Sequence, residues 1–125
     1  MDATPDAFKT DNPAVRLSFE LALAVLAYVE ELEAGRRYVV ARQLLRCGTS
    51  SVGANVRETQ HAERRADFIH KCKIAAKKAE ETDYWLQRCL HASNYPAPND
   101  ALAGTLLSVR RLLARVIISS QANAS

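Results

Sequence analysis

The strongest constraint on the fold is a regular spacing of small and apolar residues in the second half of the chain. The spacing alternates between four and three residues over three heptads, at Phe68, Cys72, Ala75, Ala79, Thr82, Leu86 and Cys89. Because an α-helix turns once every ~3.6 residues, this alternation keeps all of these side chains on one face. A strand would instead alternate at every second residue. The segment therefore predicts a long helix that packs against other helices along its length.

Helix-start and helix-stop residues predict three more helices. Asn12 before Pro13 is a typical start, Gly35 is a typical stop, and Asn99 is a typical cap for the last helix. The predicted helices cover 13–34, 38–60, 64–93 and the segment from the cap at 99 to 119. Short connections between them predict an all-α, antiparallel, up-down-up-down four-helix bundle.

Length and composition agree with a single helical domain. At 125 residues the chain is long enough for one hydrophobic core and too short for two. We expect the bundle at 12–119, between a flexible leader at 1–11 and a frayed tail at 120–125.

The N-terminus has no signal-peptide pattern, and the longest apolar stretch is about half a membrane span. Three cysteines without paired spacing are typical of a reducing compartment. These features predict a cytoplasmic protein with no membrane segment.

The first predicted helix has more apolar surface than one packed face requires. Its apolar residues form two interleaved rows, one at Leu17, Leu21, Ala24 and Tyr28 and the other at Val15, Phe19, Ala22, Leu26 and Val29. A helix that packs on one side needs a single row. The surplus indicates contacts with further copies of the chain. The last helix has an inner row at Leu102, Leu106, Val109, Leu113 and Val116.

The second predicted helix is rich in small residues. Its inner row is expected at Val40, Leu44, Cys47, Ser51, Ala54 and Glu58. Small residues around Gly48 and Gly53 would let a neighbouring helix approach closely, although the two glycines are also compatible with a break in the helix. Both interpretations stay open from the sequence.

The uneven charge distribution suggests a basic face. Residues 1–33 contain seven acids and two bases, whereas residues 36–78 contain eleven bases and three acids. Clustered lysines and arginines neutralise phosphates, which predicts salt-sensitive binding with little sequence preference. The candidate nucleic-acid-binding residues are Arg36, Arg37, Arg42, Arg57, Arg64, Arg65, Lys71, Lys73, Lys77 and Lys78. The alternative is that these charges only keep a protein–protein scaffold in solution.

Several polar residues are expected on or near the packed rows, where each needs a hydrogen-bond partner. We expect them to bond to one another and fix the register between helices. The predicted structural polar network consists of Gln43, Arg46, Asn55, Glu58, Thr82 and Asp83.

No pattern in the sequence indicates a catalytic site. The chain has no Gly-rich phosphate loop, no zinc-type Cys/His spacing and no nucleophile elbow. Two carboxylate–histidine pairs, Glu58 with His61 and Asp67 with His70, have the spacing found in di-iron bundles. Such sites need two facing pairs and two further inward carboxylates, and only one pair here reaches the inner row. We therefore expect no metal, no cofactor and no enzymatic activity.

Two segments together resemble a known family. The first is Ala54-Asn55-Val56-x-Glu58, preceded by Gln43-Leu44-x-Arg46-Cys47, and the second is Glu81-Thr82-Asp83-Tyr84-Trp85-Leu86. They are similar to the four-helix-bundle family of ribosomal RNA intervening-sequence proteins, which is related to the accessory variability protein of diversity-generating retroelements. The resemblance covers roughly residues 15–118. Thr59-Gln60, where a glycine is common, and the basic pair Lys77-Lys78 depart from the family pattern.

The resemblance implies a non-enzymatic bundle that assembles as a ring-like homopentamer. It also implies nucleic-acid binding and, for the retroelement relatives, binding to a reverse transcriptase. The leading hypothesis is an oligomeric adaptor that contacts RNA or DNA through its basic surface, with a role as accessory factor to a reverse transcriptase as one option within it. The competing hypothesis is a scaffold with no nucleic-acid role, and the branch of the family stays open.

Overall fold

The structure, a computed structural model, describes residues 12–123, and every regular element in this range is helical. The helices are α1 (Pro13–Ala34), α2 (Tyr38–Leu45), α3 (Val52–Glu58), α4 (Arg65–His91) and α5 (Asp100–Ala122). A π-helical turn, Arg46–Ser51, joins α2 to α3, and a 3-10 turn, Thr59–His61, follows α3. From α2 to the 3-10 turn the chain forms one rod, called the second helix below. The predicted all-α bundle of four helices is confirmed.

Each helix packs beside its neighbours in the chain, and α1 also packs against α5. Short connections therefore place the four rods in an antiparallel square. A long-range hydrogen bond helps to tie the α4–α5 connection to the bundle, because the Tyr28 hydroxyl donates to the carbonyl oxygen of Pro96 at 2.6 Å.

Both predicted asparagine caps are present. The Asn12 side-chain oxygen accepts from the backbone N–H groups of Ala14 at 2.9 Å and Val15 at 3.4 Å. The Asn99 oxygen accepts from Leu102 N–H at 2.8 Å. These bonds satisfy backbone donors that have no partner inside a helix, and so they fix where α1 and α5 begin.

The end of α1 differs in detail from the prediction. Gly35 does follow the last helical residue, but its φ is −89°, and the left-handed residue is Arg36, with a φ of 62°. Arg37 N–H donates to Leu32 oxygen at 2.8 Å, and Arg36 N–H donates to Glu33 oxygen at 2.9 Å. These two bonds form a Schellman motif, in which glycine is favoured at the residue with a positive φ. Here that residue is Arg36, and Gly35 precedes it.

The inner row of α4 is confirmed over most of its length, since all its predicted members are buried except the partly exposed Phe68. The row of α5 is buried from Leu102 to Leu113, with Val116 partly exposed. The buried face of α1 lies between the two apolar rows and takes members from both, at Val15, Ser18, Leu21, Val25, Tyr28, Val29 and Leu32. Leu26 of the second row is 44% exposed, so part of the apolar surface of α1 stays outside the core.

The π turn explains why the predicted inner row of the second helix fails after Cys47. A π turn contains more residues than an α turn and therefore shifts every later position by one. The predicted inner residues Ser51 and Glu58 each precede a residue that is truly buried, Val52 and Thr59. The helix is not broken at Gly48, which lies inside the turn.

The boundaries of the bundle are partly described. The helix α5 continues to Ala122, so the frayed tail expected from 120 is helical there. The leader at 1–11 and residues 124–125 lie outside the described residues. Within the described range, none of the helices combines the length and the apolar character needed to cross a membrane.

Candidate nucleic-acid interface

The structure distributes the ten predicted basic residues over three regions of the bundle. One group lies at the α1–α2 end, a second at the opposite end, and a third along α4. The groups are Arg36, Arg37 and Arg42; then Arg57, Arg64, Arg65 and Lys71; then Lys73, Lys77 and Lys78. The ten do not form a single basic face.

Two arginines at the bundle ends have structural partners. Arg37 donates to the carbonyl oxygen of Asn94 at 3.0 Å, and its guanidinium lies 4.8 Å from the ring centroid of Tyr95. Arg65 donates to the carbonyl oxygen of Asn123. Both side chains hold chain segments together, which makes them poor candidates for phosphate contacts.

Three further cations are paired with carboxylates. Lys71 lies 2.7 Å from Glu58, Lys78 lies 3.6 Å from Glu81, and Arg64 lies 3.9 Å from Asp67. Exposed pairs of this kind contribute little to stability, about 0–1 kcal/mol. They do, however, neutralise part of the charge that the sequence suggested was available to a polyanion.

One face of α4 keeps its charge. At about 100° per residue, Lys73, Lys77, Tyr84 and Arg88 fall within about 60° of one another around the helix axis, opposite the buried row. We call these four residues the α4 outer stripe; all of them are exposed. Within residues 12–123, no carboxylate lies within ion-pair distance of Lys73 or Lys77. Glu80 and Glu81, both exposed, lie at the two edges of the stripe, each about 20° from its nearest member.

The upper part of the stripe is aromatic as well as basic. The Arg88 guanidinium lies 5.1 Å from the ring centroid of Tyr84 and donates to its hydroxyl. The ring of Trp85 meets that of Tyr84 edge-on, with centroids 5.5 Å apart and planes at 79°. A groove of about 810 Å³ surrounds this part of α4, and its lining includes Trp85, Tyr84, Arg88 and Tyr95.

Sequence reasoning missed Arg88 as a member of this surface. The signal was available, since Arg88 follows Tyr84 by four residues and Lys77 by eleven, and both spacings return to the same side of a helix. The predicted candidates followed the dense basic run at 36–78, and Arg88 lies ten residues beyond its end.

The predicted polar network does not form as one group, because Asn55, Glu58, Asp83 and Thr82 have other partners. The Asn55 side-chain NH₂ donates to the Ser51 carbonyl of its own helix at 2.7 Å. Glu58, exposed on the second helix, pairs with Lys71, and Asp83 lies 3.4 Å from Arg110 on α5. Arg46 is exposed and Gln43 is half-buried. The shift introduced by the π turn turns Glu58 away from the packed face.

Thr82 is the one member of that set that is fully buried. Its hydroxyl donates to the Lys78 carbonyl at 2.8 Å and lies 3.3 Å from the sulfur of Cys47. This contact joins α4 to the π turn of the second helix, as expected of a register-fixing residue, but its partners are a backbone carbonyl and a thiol.

The buried ionisable side chains are held neutral. Burial raises the pKa of the Cys47, Cys72 and Cys89 thiols. Burial likewise raises the pKa of Tyr28, and the neighbouring Cys89 adds to the shift. A thiol is a nucleophile only as the thiolate, so these cysteines are unreactive core residues. The described residues also contain no group of three or more potential metal ligands.

Comparisons with known proteins agree with the fold. Residues 10–113 match the model of a family described as 23S rRNA-intervening sequence protein. Among solved structures, the chain is similar to a protein of unknown function from the S23 ribosomal protein family of Bacteroides thetaiotaomicron. The two are 33% identical with a TM-score of 0.77, over 83% of this chain and 97% of that one. No curated protein matches the sequence. The chain therefore belongs to the family of 23S rRNA-intervening sequence proteins.

Proposed function

We propose that this protein is a non-enzymatic, oligomeric adaptor that binds RNA through the α4 outer stripe. The observation that carries the proposal is the pair Lys73 and Lys77, which is exposed and has no carboxylate partner within residues 12–123. Uncompensated cations at regular spacing attract the phosphate backbone, and binding releases condensed counterions. The family name, which refers to 23S rRNA, supports RNA as the polyanion.

Assembly into a ring would multiply a weak site. A single stripe carries only three cations, Lys73, Lys77 and Arg88. Several copies engaged by one RNA bind with an effective concentration that raises the overall affinity without new contacts. The homopentamer implied by the family resemblance would present five such stripes.

Exposed apolar side chains on α1 and α2 support self-association. Leu23 and Leu26 on α1 are 52% and 44% exposed, and Leu45 and Tyr38 on α2 are 38% and 54% exposed. Exposed apolar patches mark interaction surfaces, and we take these four residues to form one. We assign this α1–α2 face to contacts between subunits, which leaves α4 available to RNA. Light scattering tests the assignment: Leu23→Glu with Leu26→Glu is expected to reduce the particle mass.

A reverse transcriptase is the protein partner that the resemblance to the retroelement accessory protein suggests. An adaptor with separate assembly and RNA faces would bring template and enzyme together. Co-purification of the assembled protein with a reverse transcriptase encoded beside it tests this part of the proposal. Enzyme retained only while RNA is intact would indicate an RNA tether and contradict direct binding.

The RNA proposal is tested by the salt dependence of binding. The wild-type protein and Lys73→Gln with Lys77→Gln are titrated with single-stranded RNA and DNA from about 50 to 200 mM salt, the range in which phosphate contacts dominate. Loss of two phosphate contacts reduces the magnitude of the negative slope of log K against log salt by about 1.4, because each contact contributes about 0.7 to that slope on a single strand. The control, Arg36→Gln with Arg42→Gln, removes the same charge away from α4 and is expected to keep the slope.

The competing function, a protein–protein scaffold, predicts a different result. A scaffold would show no binding to RNA or DNA even at about 50 mM salt, where non-specific contacts are strongest. Equal losses of RNA affinity in the two double variants would also contradict the α4 site, since they would indicate that the RNA is attracted by net charge alone.

A further inference from the structure

We infer that the RNA bound on α4 is single-stranded and that one of its bases stacks on Tyr84. The inference rests on the proposed function and specifies its ligand. The observation behind it is a tyrosine ring that is 52% exposed in the middle of a row of cations. Attraction of phosphate requires only cations and does not explain an aromatic ring on the solvent-exposed side of the helix.

The distances along α4 suit a stacked base with phosphates on both sides. With a rise of ~1.5 Å per residue, Lys77 lies about 10 Å from Tyr84 in one direction and Arg88 lies about 6 Å away in the other. Long lysine and arginine side chains can therefore reach the backbone on either side of a base placed on the ring. Arginine and aromatic side chains both offer flat surfaces on which bases stack.

The contacts of Tyr84 orient the ring and leave 52% of the residue exposed. The Arg88 guanidinium covers one face of the ring, 5.1 Å from its centroid, so a base stacks on the other face, and the edge-on contact with Trp85 supports the ring from the side. The groove around it, about 810 Å³, includes a further aromatic side chain, Tyr95. That volume lies within the range of small-molecule sites and accommodates a nucleotide.

A duplex could not use this arrangement. In double-stranded RNA the bases are stacked inside the helix, and proteins contact mainly phosphates and 2′-hydroxyl groups. Single strands, loops and ends instead expose base faces to aromatic side chains. An exposed tyrosine between cations therefore discriminates in favour of unpaired RNA, whereas the cations alone would accept either form.

The chain contains one tryptophan, which makes the test direct. Because Trp85 contacts Tyr84, a base stacked there is expected to change the tryptophan fluorescence. Short oligoadenylate is titrated against the assembled wild-type protein, in parallel with the same strand paired to oligouridine and with oligodeoxyadenylate. We expect quenching by the single strands and little change with the duplex, and a weaker response to DNA would assign a role to the 2′-hydroxyl.

Variants separate stacking from structural effects. Tyr84→Ala is expected to weaken oligoadenylate binding about 5- to 150-fold, as loss of one base–aromatic stack does, while Tyr84→Phe keeps most of the affinity. The control is Ile118→Ala, which removes an exposed apolar side chain, 68% accessible, from α5 and outside both the RNA stripe and the α1–α2 face. Light scattering confirms that the particle mass is unchanged.

The experiments distinguish failure of the stacking inference from failure of the proposed RNA-binding function. Salt-dependent binding that Tyr84→Ala leaves intact, or duplex binding as tight as single-strand binding, would overturn the inference and leave the RNA adaptor standing. A change of particle mass in Tyr84→Ala without a change in RNA affinity would place the tyrosine at a protein contact and also overturn it. Absence of any RNA binding by the wild-type protein would overturn the inference together with the proposed function.

Discussion

Gly48 lies so close to Val25 that a β-carbon on the glycine would fall 2.9 Å from Cγ2 of the valine. The same β-carbon would lie 3.3 Å from Cγ2 of Thr82 on α4. The π turn therefore approaches two neighbouring helices at once, and a residue without a side chain makes this possible. The prediction that small residues in the second helix permit close packing is confirmed at this position.

We expect Gly48→Ala to lower the free energy of unfolding by about 1–3 kcal/mol, as overpacking of a filled core does. The control is Gly53→Ala, where an added β-carbon meets no atom within 4 Å. Alanine there should raise the stability by about 0.5–1 kcal/mol, because it restricts the unfolded chain. Urea unfolding of both variants measures the difference. Two variants of equal stability would show that the turn can move away from α1.

Arg36→Gly is expected to stabilise the protein by about 0.5–1 kcal/mol, since glycine adopts a positive φ without the cost that a side chain imposes. The neighbouring substitution Gly35→Ala serves as the control, because Gly35 has an ordinary φ of −89°. Thermal unfolding measures both. If Arg36→Gly unfolds at a lower temperature, the arginine side chain makes a contribution that its backbone conformation does not reveal.

Glu80→Gln is expected to tighten RNA binding. Glu80 stands at the edge of the α4 outer stripe and repels a phosphate backbone placed there. Removing one exposed charge interaction of about 0.2–1 kcal/mol should raise the affinity about 1.5- to 5-fold. Glu63→Gln makes the same charge change at an exposed position outside the stripe and should have little effect. Equal gains in both variants would contradict a localised site.

The stability should fall as the pH rises above about 9, the ordinary pKa of a thiol being 9.0. Burial raises the pKa of all three cysteines, so the unfolded chain releases these protons at a lower pH than the folded chain does. Raising the pH therefore favours unfolding. Burial also raises the pKa of the Tyr28 hydroxyl, so this group adds to the loss of stability at higher pH. Urea midpoints between pH 7 and 11 measure the slope. Midpoints that stay constant over this range would show that the thiols ionise without unfolding.

The sequence was sufficient to predict the helices because their ends carry local signals. The Asn12 and Asn99 caps act within three residues, and the heptads of α4 repeat without interruption. The phase of the second helix could not be predicted in the same way. Its inner row depends on how many residues each turn contains, and the π turn is defined by its close packing against α1 and α4 at Gly48, which the local sequence alone does not show.

The candidate site was predicted only in part for a similar reason. Net charge along the chain can be counted, but the pairing of each cation depends on neighbours in space. Lys71 is neutralised by Glu58 on another helix, and Arg37 is held by Asn94 from a distant connection. Lys73 and Lys77 make no ion pair within residues 12–123, although Glu80 stands at the edge of the same stripe, and Glu81 pairs with Lys78. Which of the cations are paired can therefore be determined only from the three-dimensional structure.

The π turn at Arg46–Ser51 has a consequence for insertions and deletions. Removing one residue from a regular helix rotates everything after it by about 100° and would expose the core. Here the turn already contains one residue in excess, so the loss of exposed Arg46 would convert it to an ordinary turn and leave Val52, Val56 and Thr59 facing inward. Shorter relatives with an uninterrupted second helix could thus share this bundle unchanged.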